Sequence, residues 1–187
     1  MGEQRMSGST KSIDAVIVGA GFAGIYMLYK LRQQGLEARV IEAGTGVGGT
    51  WYWNRYPGAR CDIPSMQYSY QFSEDLQQEW EWSEKYATQG EILTYAEHVV
   101  ARFGLADGMT FNTRVDATHY LPAHDQWRVE LDSGESIQAR FVIMATGCLS
   151  KPNYPNIDGL NEAAVPVYHT GSWPHDGVDF TGKNVGV

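Results

Sequence analysis

Ile13-Asp14-Ala15-Val16-Ile17-Val18-Gly19-Ala20-Gly21-Phe22-Ala23-Gly24 is the stretch that decides the fold. Ile13 to Val18 is a short β-branched run that Gly19 stops, the pattern of a buried parallel strand. From Phe22 to Gln34, apolar residues recur at helical spacing (Ala23, Tyr26, Met27, Leu31), and Gly35 is suited to end that helix. Ala38 to Ile41 reads as a second short strand. The glycines at 19, 21 and 24 therefore sit between a strand and the helix it feeds, and the first 42 residues spell a βαβ unit with a right-handed crossover. The expected class is α/β, a Rossmann-like domain.

In that setting G-x-G-x-x-G carries chemistry that it lacks in isolation. Gly19 permits the tight turn, Gly21 lets backbone N–H groups approach a pyrophosphate, and Gly24 lets helix and strand pack closely. With Phe22 and Ala23 opening the helix, its N-terminus supplies partial positive charge for phosphates. Glu42 follows Gly24 by eighteen positions, at the end of the second strand. It is placed to accept hydrogen bonds from an adenosine ribose, and its charge would repel a 2′-phosphate. The bland alternative is a plain glycine turn with a surface glutamate. Strand, helix, spacing and acid together favour dinucleotide binding. Gly46-Val47-Gly48-Gly49-Thr50-Trp51 offers a second glycine-rich surface, and Ala145-Thr146-Gly147 closes another apolar strand. Together these resemble the two-dinucleotide-binding-domain flavoproteins, a resemblance that implies FAD rather than NAD.

Composition narrows the field. The 187 residues are 43% hydrophobic and 19% charged, enough apolar content to bury a core. A net charge of -8 disfavours a nucleic-acid surface. No apolar run reaches the roughly 18 residues needed to span a bilayer. Two cysteines, Cys61 and Cys148, are too few for a disulfide framework, and a cytoplasmic setting fits. No histidine shows metal-ligand spacing, so no metal is expected. Cys148 reads as a small packed residue.

Residues 1–12 look like a mobile polar tail. Residues 13–150 are expected to form the nucleotide-binding domain, and 151–187 a Pro-, Asn- and Gly-rich linker with the start of another domain. Within the first, 43–74 lack periodicity, as a functional loop does. Thr88-Gln89-Gly90-Glu91 matches a capping box, followed by an apolar face of Ile92, Ala96, Val99, Val100 and Phe103. Thr110–Val115, Trp127–Leu131 and Ser136–Ala139 read as a small antiparallel meander, and Phe141–Ala145 as a separate apolar strand. Trp80 and Trp82, among acids, read as a solvated, half-packed surface turn. Asn184-Val185-Gly186-Val187 looks like the start of a buried strand, which suggests a piece of a longer chain.

Trp51-Tyr52-Trp53-Asn54-Arg55-Tyr56-Pro57-Gly58-Ala59-Arg60-Cys61-Asp62, together with His169-Thr170-Gly171-Ser172-Trp173-Pro174, closely resembles the flavin-dependent Baeyer–Villiger monooxygenases. The resemblance runs from Ile13 onward and matches the amino-terminal third of such enzymes, which implies that 13–150 is the FAD-binding domain and 151–187 the linker and start of the NADPH-binding domain. It implies FAD and NADPH as cofactors, O2 as co-substrate and a ketone (cyclic, aryl or steroid-like) converted to an ester or lactone. It implies FAD contacts from Gly19, Gly21, Phe22, Ala23, Gly24, Glu42, Gly49, Thr50, Trp51, Tyr52, Trp53, Asp62 and Tyr68, from the Val115 backbone near the adenine, and from the returning strand at Ala145, Thr146 and Gly147. Arg60, Cys61 and Asp62 would lie between flavin and nicotinamide. Asp62, the one catalytic residue implied, would be a buried acid orienting an arginine supplied by the remainder of the parent chain. His169 and Trp173 belong to the family's linker fingerprint, F-x-G-x-x-x-H-x-x-x-W-P, with the histidine hinging or sensing NADPH binding. Ala163 and Val165 replace its Phe and Gly, which puts the turn geometry there in question. The present residues alone would be inactive as a catalyst. Two other readings stay open: a fragment of an N-hydroxylating or flavin-containing monooxygenase, and a non-catalytic FAD- or ADP-binding module.

Overall fold

The computed structural model describes residues 12–187. These divide into two compact units: residues up to Val47 with Val100–Thr146, and Gly48–Val99 with Gly147–Val187. Of the polar tail expected over residues 1–12, only Ser12 lies among the described residues, and it opens the first strand.

The first unit is built on a six-stranded sheet. Its strands are β1 (Ser12–Val18), β2 (Ala38–Ile41), β3 (Met109–Thr110), β4 (Val115–Leu121), β5 (Gln126–Leu131) and β6 (Ser136–Met144), in the order β3-β2-β1-β6-β5-β4. β1 runs parallel to both β2 and β6, and β2 parallel to β3, whereas β4, β5 and β6 form an antiparallel meander. The meander is thus part of the main sheet. Ser136–Ala139 and Phe141–Ala145, expected as two strands, are one. Arg140 between them does not break the run, because alternate side chains of a strand leave on opposite faces. Its guanidinium reaches Asp14 at 3.4 Å and sits 5.1 Å from the Phe141 ring centroid. The expected strand Thr110–Val115 is displaced as well. Asn112 takes φ +52°, which ends β3 after two residues and leaves β4 to begin at Val115.

Ala15, Val16 and Ile17 of β1 are wholly buried, and Ile13, Val16, Ile41, Val129, Leu131 and Ala139 form one apolar cluster. Burying each large aliphatic side chain contributes about 1.5–3 kcal/mol, so this cluster anchors the sheet. Helix α1 (Phe22–Gln33) buries Gly24, Ile25 and Leu28. Of the apolar residues at helical spacing, Tyr26, Met27 and Leu31 are half-buried. Ala23 is exposed, because the helix meets β1 through Gly24 and the residues one turn on from it. Arg32 of α1 donates to the Gly104 carbonyl at 3.1 Å and to Asp107 at 2.7 Å, and this contact holds the Asp107 carboxyl below its usual range.

The second unit holds α2 (Thr50–Trp53), α3 (Glu74–Glu79) and most of α4 (Gln89–Arg102), with tight 3₁₀ turns at Ser65–Tyr68, Leu160–Glu162 and Thr170–Ser172. The α3 N-terminus is capped by Ser73, whose side chain accepts from the Leu76 N–H at 3.3 Å. Only half of the capping box expected at α4 forms. Thr88 Oγ1 accepts weakly from the Glu91 N–H, at 3.4 Å, but the Glu91 carboxylate accepts instead from the backbone and hydroxyl of Ser83, at 2.7 and 2.9 Å. Trp80 and Trp82 are half-buried among exposed acids, as a half-packed turn would be. Both lie 5.1 Å from Tyr95, which is 1% exposed. The Tyr95 hydroxyl accepts the Tyr70 N–H at 2.8 Å, and burial pushes both phenols above their ordinary range. Tyr95→Phe removes that acceptor and is expected to cost about 1–2 kcal/mol, read as a lower urea midpoint at unchanged m-value.

Residues 183–187 form no strand, contrary to the expectation for Asn184–Val187. They pair with none of the described strands, and an extended segment without a partner has no ladder to define it. No helix among the described residues is long and apolar enough to cross a membrane.

Candidate functional site

In the first unit the glycine loop follows from two close approaches. Gly19 sits at φ +105°, and a Cβ there would lie 2.7 Å from the Ala145 carbonyl oxygen. Its N–H donates to the Ile41 carbonyl at 2.8 Å, and the Ala145 N–H donates to Val18 at 2.9 Å. The strand end at Ala145-Thr146, a distant feature in sequence, is therefore the immediate neighbour of the loop. A Cβ on Gly24 would overlap the Gly19 carbonyl oxygen and lie 3.1 Å from its carbon. Gly21 is different. It takes φ −74°, ψ −174°, open to any residue, and acts as the N-cap of α1 without a side-chain hydrogen bond. The first turn of α1, entered through Phe22 and Ala23, carries no acid. A helix start with no side-chain cap and no acid in its own first turn suits an anion.

Glu42 is not on the surface. It is 7% exposed, with Oε2 accepting the Ala20 N–H and Oε1 accepting the Gly44 N–H, each at 2.7 Å. The acid staples the glycine loop to the turn after β2, a role its spacing alone did not suggest. Each oxygen keeps a second lone pair, so a ribose hydroxyl can still be accepted. The Thr113 N–H donates to the Glu42 carbonyl at 3.0 Å, and the Asn112 N–H to Gly44 at 2.9 Å. Val115 opens β4 two residues further on, beside a bulge, and packs partly into the β1 cluster. The cradle, the uncapped helix start and the acceptor-only acid fit a dinucleotide with an unphosphorylated ribose.

In the second unit Trp51 and Tyr52 of α2 are buried, at 8% and 7% exposure, and Gly49 is the N-cap of the helix. The side-chain amide of Gln89 donates to the Trp51 carbonyl. Tyr68 meets the Trp51 ring edge-on at 5.5 Å. Burial, followed by the nearby Cys61, pushes the Tyr68 phenol up, while a hydrogen bond with the Trp51 side chain opposes the rise. Gly48 serves packing, since a Cβ there would lie 2.6 Å from Leu93 Cδ1. Arg60 donates to Glu84 and to the Tyr86 carbonyl at 2.7 and 2.9 Å, and Cys61 is buried. Asp62 is exposed. The present residues do not bury it, since residues 62–64 lie on an exposed excursion.

His169 heads the Thr170–Ser172 turn. Its Nδ1 accepts the Gly171 N–H at 2.9 Å, which puts the proton of the neutral ring on Nε2. Its ring lies 4.7 Å from that of Tyr154, whose hydroxyl is 3.0 Å from Ser172 Oγ. Trp173 packs against Tyr168 and Phe180 at 5.6 and 6.0 Å. Ala163 takes φ −58°, and Val165 is not among the residues with positive φ, so replacing the fingerprint Phe and Gly strains neither position. Gly147 takes φ +68°, and Cys148 after it is exposed rather than packed. Sequence reasoning missed Tyr154, Gln89 and Ser65, whose roles are set by neighbours distant in the chain.

Comparison with known proteins gives a consistent picture. A Baeyer–Villiger monooxygenase of Pseudooceanicola batsensis is 42% identical over 93% of this chain and 32% of its own length. A phenazine N-monooxygenase of Lysobacter antibioticus is 43% identical over 93% of this chain and 32% of its own. A solved structure of oxidized steroid monooxygenase bound to NADP is 54% identical, with TM-score 0.85, over 92% of this chain and 33% of that one. The chain thus spans about a third of the length of the curated relatives it matches. Residues 16–185 match the family described as pyridine nucleotide-disulphide oxidoreductase, and with its glycine loop, buried acid and parallel β1–β2 pair the chain belongs to that family.

Proposed function

We propose that this chain is the FAD-binding portion, residues 13–150, with the following linker, of a flavin-dependent Baeyer–Villiger monooxygenase. The whole enzyme would use NADPH and O2 to convert a ketone to an ester or lactone. The observation that carries the reading is the buried Glu42 carboxylate bound to the N–H of Ala20 inside the glycine loop. It joins a phosphate cradle to a ribose acceptor in one unit. The likeness to monooxygenases over more than nine-tenths of this chain supports the rest.

FAD, when bound, supplies the redox and oxygen-activating chemistry, and the protein supplies placement and electrostatics. Gly19, Gly21, Phe22, Ala23 and Gly24 would hold the pyrophosphate, Glu42 the ribose, and the Val115 backbone the adenine. Gly49, Thr50, Trp51, Tyr52, Trp53 and Tyr68 would line the flavin end, with Ala145, Thr146 and Gly147 as the returning strand. Arg60, Cys61 and Asp62 would stand between flavin and nicotinamide, and His169 and Trp173 would respond to NADPH. Asp62, exposed in this chain, would orient an arginine from the remainder of the parent chain. A cytoplasmic setting fits the low cysteine count.

Oxidation of a ring nitrogen is a second reading, favoured by the similarity to the phenazine N-monooxygenase. Turnover of the full-length protein with cyclic and aryl ketones, set against heteroaromatic amines, separates the two. Ester or lactone formation is expected, and N-oxide as the sole product would overturn the assignment. In the same protein Asp62→Ala is expected to lower ketone oxygenation by roughly 10²-fold, the scale of a lost electrostatic contact at a reacting centre, with FAD retained. Equal rates in the two proteins would remove Asp62 from the site.

A further inference from the structure

Glu42 and Ser65 are the buried polar side chains among the described residues. Glu42 is accounted for by the glycine loop. Ser65, 2% exposed, is not. It lies just beyond Asp62, where two segments of the second unit run antiparallel. The Gln89 N–H donates to Ala59 at 2.8 Å, the Cys61 N–H donates to Ala87 at 3.0 Å, and Arg60 bridges Thr88 between them. A regular ladder would continue with the Ala87 N–H donating to the Cys61 carbonyl. It donates instead to Ser65 Oγ, at 2.8 Å. The same hydroxyl donates to the Glu84 carbonyl at 2.6 Å, and the Ser65 N–H donates to Lys85 at 2.8 Å.

The Ser65 hydroxyl therefore stands where a strand carbonyl would be. It satisfies the Glu84–Gln89 side of the ribbon while residues 62–64 leave it. Pro64 has no N–H to satisfy in that excursion, and Asp62 and Ile63 are exposed on it. We propose that Ser65 is a positioning residue: its hydroxyl fixes the outward excursion that presents Asp62, next to an Arg60 already tethered by Glu84 and Tyr86. The functional half of this inference rests on the reading of Asp62 given above. The structural half does not.

The test uses the full-length protein with Ser65→Ala, Ser65→Thr and Asp62→Ala, and two readouts. The first is amide hydrogen exchange, which needs no cofactor turnover. Ser65→Ala is expected to speed exchange at least tenfold at Ala87 and across residues 59–65, with the Tyr95 region of α4 unchanged, and Ser65→Thr to restore protection. Wild-type exchange at these amides in Ser65→Ala overturns the proposal. The second readout is ketone oxygenation. A tenfold or greater fall in kcat is expected, with KM for ketone and FAD content held within twofold. A parallel loss of FAD and kcat would mark general loosening and would also overturn it. If Asp62→Ala turns over normally, the Asp62 reading fails, while exchange at Ala87 still decides the role of Ser65. Should Ser65→Ala not yield folded protein, Ser65→Cys is read by the same exchange. Accelerated exchange supports the proposal and wild-type exchange sinks it.

Discussion

Gly24→Ala is expected to abolish FAD retention and to lower the thermal midpoint of the protein even without cofactor. The added methyl would overlap the Gly19 carbonyl oxygen, with Ile17 Cγ2 3.6 Å behind it. Gly19 is fixed by its own hydrogen bond to Ile41, and Ile17 is wholly buried in β1. Neither can yield without moving the start of α1 off the sheet. Overpacking of a dense site typically costs about 1–3 kcal/mol, and backbone against backbone belongs at the upper end. The cradle would then lose the helix N–H groups proposed to meet the pyrophosphate. Gly90→Ala in α4 is the control, since nothing lies within 4 Å of the point where its methyl group would stand. That change should be neutral or stabilise by about 0.4–1 kcal/mol, through a lower unfolded-chain entropy and better helix propensity. The flavin-to-protein absorbance ratio after gel filtration, with melting curves of the apo proteins, checks both. Full flavin retention by Gly24→Ala would mean that the loop is not the phosphate site.

What could be read from sequence follows the range of the forces involved. β1, α1 and β2 were legible to within a residue or two because β-branched runs, helical spacing and stop glycines act locally. Gly19 and Gly24 were legible because a motif with fixed neighbours encodes a steric requirement. The buried face of α1 was not, since the choice between Ala23 and Ile25 depends on which side meets the sheet. The merged strand β6 was hidden by Arg140, a charge that looks like a break until Asp14 and Phe141 are seen beside it. Asp62 was expected buried because its role was taken from resemblance, whereas it is exposed where the chain leaves its partner segment at residues 84–89, more than twenty positions away. The half-made capping box at Thr88 has the same origin, with Ser83 winning the Glu91 carboxylate.

Glu42→Arg is expected to cost FAD binding at least 10²-fold, and Glu42→Gln to fall between it and the wild type. Two roles meet in this carboxylate. As the proposed ribose acceptor it would act only when ligand is present. As the staple between the Ala20 and Gly44 N–H groups it acts in the apo protein too. Hydrogen bonds to an ionised acceptor contribute about 1.5–3 kcal/mol each, and a buried N–H left without its partner costs about 1–3 kcal/mol. Glutamine keeps the size and one carbonyl oxygen, but its amide nitrogen must face one of the two N–H groups, donor against donor. Arginine satisfies neither and adds a buried cation beside a helix start that is itself partly positive. A tenfold change in affinity corresponds to about 1.4 kcal/mol, so the loss of one staple bond already accounts for a tenfold effect, and arginine exceeds it. The two roles separate in the absence of FAD. A pure ribose ligand would leave the apo melting midpoint of Glu42→Gln unchanged, whereas the staple predicts a fall of several degrees. An unchanged midpoint together with unchanged FAD affinity would deny the acid both roles, and with them the observation on which the cofactor assignment stands.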